Sequence, residues 1–127
     1  MHYFIAATLL IVGAIHLLPA TGVLSAARVS TLYGVAVPEP NLELLLRHRA
    51  VLFALLGGFF VFAAFEPRYQ TAAFVAGLVS VVSFLVLAFR VDGINTQLSR
   101  VVVADALAAL LLLAGASAFV WSDSNGG

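Results

Sequence analysis

Few ionisable side chains lie inside the long apolar runs of this chain, and two of them could exchange protons with a bound molecule. Asp105 follows Arg100 by five residues near the start of the last apolar run, and His16 lies near the end of the first. A charge at the centre of a membrane-spanning helix costs about 2.5–3.5 kcal/mol on insertion scales, so such residues are seldom accidental. Because histidine and carboxylic acids are common general acids and bases, we predict His16 and Asp105 as candidate catalytic residues.

Both residues also have interpretations without catalysis. The carboxylate of Asp105 could form a structural ion pair that joins its helix to another, or it could be a protonation switch in transport. A lone histidine on an apolar helix could simply hydrogen-bond a backbone carbonyl or a hydroxyl. The candidate partners of Asp105 are Arg47, Arg90, His16 and His48.

A basic triplet, Arg47-His48-Arg49, precedes the second apolar run. It could bind lipid phosphate at the membrane surface, or it could clamp an anion or a carboxylate inside the bundle. On a helical wheel Arg47 shares a face with Ala54 and Gly58, whereas Arg49 lies about 200° away. We therefore expect Arg47 to point into the bundle and Arg49 to extend to the lipid headgroups.

Three further residues complete the predicted ligand-binding set. Glu43 lies four residues before Arg47, the better order for an ion pair on a helix.

Neither an HxxH nor an ExxH spacing is present, and the candidate ligands lie on different helices, so we predict no metal site and no cofactor. The predicted site consists of His16 and Asp105 as catalytic residues and of Arg47, His48, Glu43, Arg90 and Tyr33 as ligand-binding residues.

Composition indicates a membrane protein. The chain has 127 residues, of which 63% are hydrophobic and 9% are charged, and its mean hydropathy is +1.12. Soluble domains are about 45–50% apolar and about 25% charged. We predict an all-α, integral membrane four-helix transmembrane bundle that forms a single domain over residues 1–127. The predicted helices span about 3–18, 42–65, 71–90 and 100–121.

The same composition excludes several classes of function. Net charge is zero and the chain has no lysine, so we expect no nucleic-acid partner. The chain has no cysteine, which excludes disulfides and thiolate chemistry. No Lys or Arg precedes the first apolar run, so we expect that run to be a retained helix rather than a signal peptide.

The connections between the apolar runs differ in length. In the long first loop, Ser25 can cap a short interfacial helix at about 25–33 that ends at Gly34. Residues 35–40 should then be extended, with Asn41 as the cap of the second long helix. Residues 66–70 predict a tight turn, and the polar tail 122–127 should be frayed.

Pairs of small residues four apart predict where the helices approach one another closely. We expect these pairs to serve packing within the bundle, with a dedicated dimer face as the alternative. The pairs are Ala54 and Gly58, Ala73 and Gly77, Ala104 and Ala108, and Ala114 and Ala118.

Arginine positions predict the orientation. The first and third loops, with the adjoining helix ends, contain five of the six arginines, and Arg68 lies on the other side. The positive-inside rule then places the arginine-rich side in the cytoplasm and both termini outside. We predict a bacterial inner-membrane location. The five arginines are Arg28, Arg47, Arg49, Arg90 and Arg100.

The layout of one helix, a long loop and three further helices is accompanied by two short strings, Arg28 with residues 32–34 (LYG), and residues 45–49 (LLRHR). In these features the chain resembles small bacterial four-helix membrane proteins of the DoxX-like kind. The resemblance covers most of the chain. It implies the fold, and some members of that group are linked to respiratory or redox complexes. It implies no catalytic residue.

Three functions are consistent with the sequence. The leading one is binding of a lipid-soluble or amphiphilic small molecule in a polar pocket near the cytoplasmic end, with conversion by an acid/base isomerase or hydrolase as an extension. The second is an accessory or structural subunit of a larger membrane complex, respiratory or redox. The third is a minimal proton-coupled exporter. The expected partners are membrane lipid, the small molecule, and a second copy or a membrane-complex subunit.

Overall fold

The computed structural model describes residues 1–36 and 39–126. These residues are almost entirely helical, with no strand among them, which confirms the predicted all-α fold. Four segments are long and apolar enough to cross a membrane: His2–Leu24, Pro40–Phe65, Pro67–Arg90 and Thr96–Gly126. The helices are α1 (His2–Leu17), α2 (Ala26–Tyr33), α3 (Pro40–Phe65), α4 (Gln70–Arg90) and α5 (Thr96–Gly126), with 3₁₀ segments at Leu18–Leu24 and Pro67–Tyr69.

The four long helices form a ring in which each packs against two others. α1 contacts α3 and α5, and α4 contacts the same two helices from the opposite side. Phe60, Leu9 and Leu112 are fully buried where these helices meet. Burial of such apolar side chains positions the polar residues that flank the core at either end of the bundle.

The closest helix crossing joins α1 to α3 through two glycines. A Cβ atom on Gly57 would lie 2.8 Å from Leu17 Cγ and 3.0 Å from the carbonyl oxygen of Gly13. A Cβ atom on Gly58 would meet nothing within 4 Å, and Gly58 is exposed. The prediction that Gly58 lies on the packed face is therefore wrong, because the crossing places its neighbour Gly57 against α1. Ala73, Gly77 and Ala108 are buried as predicted.

The short helix α2 begins and ends where the sequence predicts. The backbone N–H of Arg28 donates to Ser25 Oγ over 3.2 Å, so Ser25 is the N-cap. Gly34 adopts a left-handed conformation with φ of 64°, and its N–H donates to the carbonyl of Ser30. Glycine suits this position because the left-handed region is strained for residues that carry a Cβ atom.

The start of α3 differs from the prediction that Asn41 caps it. Glu39 is the N-cap: its two carboxylate oxygens accept from the backbone N–H groups of Asn41 and Leu42, each over 3.0 Å. Pro40 occupies the first helical turn, where its missing N–H has no cost. These two backbone bonds lower the pKa of the Glu39 carboxyl. The predicted extended link 35–40 includes residues 37 and 38, which lie outside the described residues.

The last helix is longer than predicted at both ends. α5 begins at Thr96 and continues to Gly126, so the expectation of a frayed tail is wrong over residues 122–126. Ser124 Oγ and Asn125 Nδ2 both donate to the carbonyl of Trp121 over 2.9 Å, which adds side-chain hydrogen bonds to the last turns of the helix. The predicted tight turn is present as the 3₁₀ segment Pro67–Tyr69, fastened by a bond from Gln70 Nε2 to the carbonyl of Ala63.

Candidate functional site

A cavity of about 380 Å³ opens at the end of the bundle that carries most of the arginines. The end of α1, the following 3₁₀ segment, the end of α2, the first half of α3 and the first turns of α5 form its walls. Three of the predicted site residues, His16, Tyr33 and Asp105, line it together. Its polar lining consists of His16, Thr31, Tyr33, Arg49, Gln97, Arg100 and Asp105.

His16 is 2% exposed and is held on both of its ring nitrogens. Nδ1 lies 2.9 Å from the carbonyl oxygen of Val12, and Nε2 lies 3.2 Å from Ser80 Oγ. A carbonyl can only accept, so Nδ1 carries the proton, and the neutral ring accepts at Nε2 from the serine hydroxyl. Phe60 packs edge-on against the ring with 5.0 Å between centroids. The carbonyl and hydroxyl partners that the sequence allowed for His16 are therefore present, and the residue fastens α1 to α4.

Arg49, which the sequence analysis places at the headgroups, points into the bundle instead. Its Nη1 donates to the hydroxyl of Tyr33 over 2.9 Å. Its guanidinium carbon lies 4.6 Å from the ring centroid of Phe53 and 5.8 Å from that of Phe84. An aromatic face attracts a cation, and the planar guanidinium stacks on such rings well. The expected roles of Arg47 and Arg49 are thus reversed.

Arg47 lies outside the cavity on the other face of α3. Its Nε and Nη2 donate to the carbonyl of Val23 over 3.1 and 2.9 Å, and its Nη1 pairs with Glu43 Oε1 at 3.1 Å. The predicted Glu43–Arg47 ion pair is confirmed. His48 is exposed and lines a separate surface depression with these two residues, and Arg90 is exposed at the end of α4. None of these four residues lines the cavity.

Helical spacing explains the reversal. Arg49 precedes Phe53 by four residues, Gly57 by eight and Phe60 by eleven, and Gly57 and Phe60 are buried against the rest of the bundle. Residues at these intervals share one face of an α-helix. Arg47 shares its face with the exposed Gly58 instead. An expectation that Gly58, rather than its neighbour Gly57, is the packed glycine therefore predicts the wrong arginine inside the bundle.

Asp105 is half-buried and carries an unpaired carboxylate. Within the described part of the chain, no basic side chain has a nitrogen within 4.0 Å of its oxygens, and no hydrogen bond reaches them. Every fully buried side-chain nitrogen or oxygen atom of the described residues has a hydrogen-bond partner. The Asp105 oxygens have none, so they are not fully buried and are reachable from the cavity that Asp105 lines. The predicted ion pair with Arg47, Arg90, His16 or His48 is therefore not formed here.

Tyr33 is positioned by an asparagine at the start of α5. Asn95 Nδ2 donates to the carbonyls of Tyr33 and Gly34 over 2.8 and 3.0 Å, and its Oδ1 accepts from the backbone N–H of Leu98 over 2.8 Å. One side chain thus caps α5 and fastens the end of α2 to it. Burial raises the pKa of the Tyr33 hydroxyl, with the nearby Arg49 charge opposing the rise and Asp105 adding to it. The phenol therefore stays protonated at neutral pH and keeps a proton to donate.

Four polar residues of the cavity are not among the site residues predicted from the sequence: Thr31, Arg49, Gln97 and Arg100. The spacing of Arg49 from Phe53 and Phe60 could have identified it. Gln97 and Arg100 lie in the first turns of α5, where the sequence predicts the end of a loop and has no spacing pattern that marks a site residue. Within the described ranges, no cluster of three or more histidine, aspartate or glutamate side chains could hold a metal ion.

The chemistry that these residues offer is hydrogen bonding to a molecule with a polar end and an apolar body. Arg49 and Tyr33 donate and Asp105 accepts, while Ile15, Leu18, Leu32, Phe53 and Val101 supply apolar contact. The resemblance to the DoxX-like group stays a prediction. Compared with protein-family models, curated proteins and solved structures, the chain has no match.

Proposed function

We propose that this protein is an integral membrane protein that binds a small lipid-soluble or amphiphilic molecule in the cavity formed by α1, α2, α3 and α5. The observation that carries the proposal is the convergence of Tyr33, Arg49 and Asp105 on one cavity, with an accessible, unpaired carboxylate. Ligand pockets are typically concave and mostly apolar, with a few polar groups that fix orientation. A cavity of about 380 Å³ is within the usual size range of about 300–1,000 Å³.

The outer surface of the bundle supports membrane insertion. Large apolar side chains project outward along all the long helices, which water would disfavour and lipid would accommodate. Exposed examples are Leu55 at 67%, Phe65 at 69%, Phe89 at 82% and Leu110 at 65%. Together with four helices of sufficient length, this favours a chain that spans the bilayer four times.

The arginine distribution supports an orientation with the cavity on the cytoplasmic side. Arg28, Arg47, Arg49, Arg90 and Arg100 belong to the two loops, or the adjoining helix ends, at the cavity end, and Arg68 belongs to the opposite turn. The positive-inside rule favours both termini outside, and the location that we propose is a bacterial inner membrane. A lipid-soluble ligand would reach the site from the cytoplasmic leaflet.

Binding is better supported than conversion. Both nitrogens of His16 are engaged, so the ring would have to release Ser80 before it could transfer a proton to a ligand. Asp105 has a free carboxylate and Tyr33 has an available proton, so an acid/base reaction would use these two residues first. Proton transfer on a bound carbonyl or hydroxyl compound is thus an extension of the proposal, and binding is its core.

The test is native mass spectrometry of the purified protein with two matched variants. Arg49→Gln removes a guanidinium that lines the cavity, whereas Arg47→Gln removes one from the same helix that lies outside it. We expect a small molecule to be retained by the wild type and by Arg47→Gln, and to be lost or at least about tenfold depleted in Arg49→Gln, since a charged hydrogen bond contributes about 1.5–3 kcal/mol.

Two results would contradict the proposal. One is a retained molecule that both variants keep equally, which would place it elsewhere on the protein. The other is a wild type that retains no small molecule and takes up none of the amphiphiles added to it. The second result would favour a structural subunit of a larger complex.

A further inference from the structure

Opposite charges face the cavity without pairing with each other. The guanidinium of Arg49 is held by Tyr33 and by the ring of Phe53, and no nitrogen of it lies within 4.0 Å of an Asp105 oxygen. Arg49 and Asp105 nonetheless line the same cavity, Arg49 from α3 and Asp105 from α5. The cavity presents a donor on one wall and an acceptor on another, and it leaves room between them.

The other polar groups of the lining do not change this balance. His16 is neutral and committed to Val12 and Ser80, and Tyr33 is a neutral phenol that accepts from Arg49. Arg100 is exposed at the start of α5, where water screens its charge. The two ionised groups in the interior of the site are therefore one cation and one anion, and the interior is close to neutral.

This balance disfavours head groups that carry a single charge. A carboxylate or phosphate would gain Arg49 but would meet the carboxylate of Asp105, and an ammonium would gain Asp105 but would meet Arg49. A hydroxyl has no charge to repel, and it can donate its proton to Asp105 while its oxygen accepts from Arg49 or from Tyr33. A bound ligand would shield Arg49 and Asp105 from water, and a polar group that is shielded without a partner is costly, so a ligand that satisfies both is favoured.

We propose that the ligand of this cavity is a neutral amphiphile whose head group bears a hydroxyl, such as a long-chain alcohol, a phenol or a neutral glyceride. This rests on the proposed function and names the ligand class for the same site. Asp105 is the residue that sets the specificity, because its negative charge rejects the anionic lipids and fatty acids that Arg49 alone would attract.

The test uses three photoreactive probes that share one diazirine-bearing alkyl chain and end in a hydroxyl, a carboxylate or an ammonium. The full-length protein is placed in nanodiscs of zwitterionic lipid, so that the membrane surface concentrates neither charged probe. Peptide mapping then reports labelling of the cavity wall at Ile15, Leu32 or Val101. We expect the hydroxyl probe to label these positions about tenfold more than either charged probe.

A charge-removing variant gives a second, independent readout. Asp105→Asn keeps the size of the side chain and an acceptor oxygen but leaves Arg49 unbalanced, so carboxylate labelling should rise about tenfold. Asp123→Asn removes an acidic residue near the far end of the same helix, and its labelling pattern should match the wild type.

The outcomes separate this inference from the proposed function. Cavity labelling by the carboxylate or the ammonium probe that equals labelling by the hydroxyl probe in the wild type would overturn the ligand class and leave the binding function standing. Unchanged selectivity in Asp105→Asn would overturn the role of Asp105. Labelling confined to the lipid-facing surface for all three probes would contradict both the binding function and the ligand class.

Discussion

Two arginines that are separated by one residue have opposite surroundings in this protein. Arg47 pairs with Glu43 and with the carbonyl of Val23 at the surface, whereas Arg49 lies among aromatic rings beside the cavity. The difference follows from the roughly 200° that two residues cover on a helix. The chemistry of the site therefore depends on which face of α3 packs against the bundle.

Tyr33 provides a test of the site at the scale of one residue. Burial raises its pKa, so its phenol should lose its proton above the ordinary tyrosine value of about 10. Since the folded-state pKa is the higher one, the stability that the neutral phenol contributes is present below the unfolded-state pKa and is lost as pH rises through the folded-state pKa. The measurement is the ultraviolet absorbance of phenolate, compared between the wild type and Tyr33→Phe.

Two companion variants sharpen this titration. In Arg49→Gln the Tyr33 component should move to still higher pH, because the nearby cation lowers the pKa. In Tyr3→Phe, which removes a phenol that is 92% exposed, the Tyr33 component should persist unchanged. A Tyr33 midpoint at or below 10 would show that the hydroxyl is not buried beside the cavity.

The sequence predicts some of these residues and not others, for physical reasons. His16, Tyr33 and Asp105 stand out because polar groups in or beside apolar segments are costly. Arg49 does not stand out, because a helical wheel gives the relative angles of residues but not which face of the helix is packed. Gln97 and Arg100 line the cavity from the start of α5, which Asn95 fastens to the end of α2 by a contact between residues about sixty positions apart in the chain.

At the scale of elements, the bundle depends on the close crossing of α1 and α3. Gly13 and Gly57 lie at this crossing, and Leu17 packs over Gly57. In the proposed membrane setting lipid supplies no hydrophobic force between helices, so such close contact through small residues would contribute much of the attraction. The crossing also fixes the position of His16 along the bundle axis. His16 follows Gly13 by three residues and lines the cavity.

The crossing gives a prediction with an adjacent control. Gly57→Ala would place its Cβ atom 2.8 Å from Leu17 Cγ and 3.0 Å from a carbonyl oxygen, so it should lower the free energy of unfolding by about 1–3 kcal/mol. Gly58→Ala meets no atom within 4 Å and should be neutral or stabilising by up to about 1 kcal/mol. Unfolding in mixed micelles by titration with a denaturing detergent measures both. Equal effects of the two variants would contradict the described crossing.

The elements themselves were largely predictable. Length and hydropathy located all four long helices, and Ser25 and Gly34 delimited α2. The errors lie at helix ends, where a few hydrogen bonds decide: Glu39 rather than Asn41 caps α3, and Ser124 and Asn125 support the last turn of α5. Composition alone does not resolve such choices, because several adjacent polar residues could cap the same helix.

At the scale of the whole molecule, a four-helix bundle forms an open cavity at one end that is mostly apolar and has a few polar groups, with α2 as part of its wall. The chain has no cysteine, so a single introduced cysteine reports on one position. Ala104→Cys places a thiol in the cavity wall one residue before Asp105, and Ser99→Cys places one on the exposed surface at the same end of α5.

The most direct measurement of the central claim is the rate at which a small water-soluble maleimide alkylates these two cysteines in inside-out membrane vesicles, with and without an alcohol-ended amphiphile. We predict that the amphiphile slows alkylation of Ala104→Cys about tenfold at about ten times its dissociation constant and leaves Ser99→Cys unaffected. If Ala104→Cys reacted only in right-side-out vesicles, the predicted membrane orientation would be reversed, and the assignment of the cavity as the binding site would be unaffected. An alkylation rate of Ala104→Cys that the amphiphile does not change would contradict the cavity as the binding site.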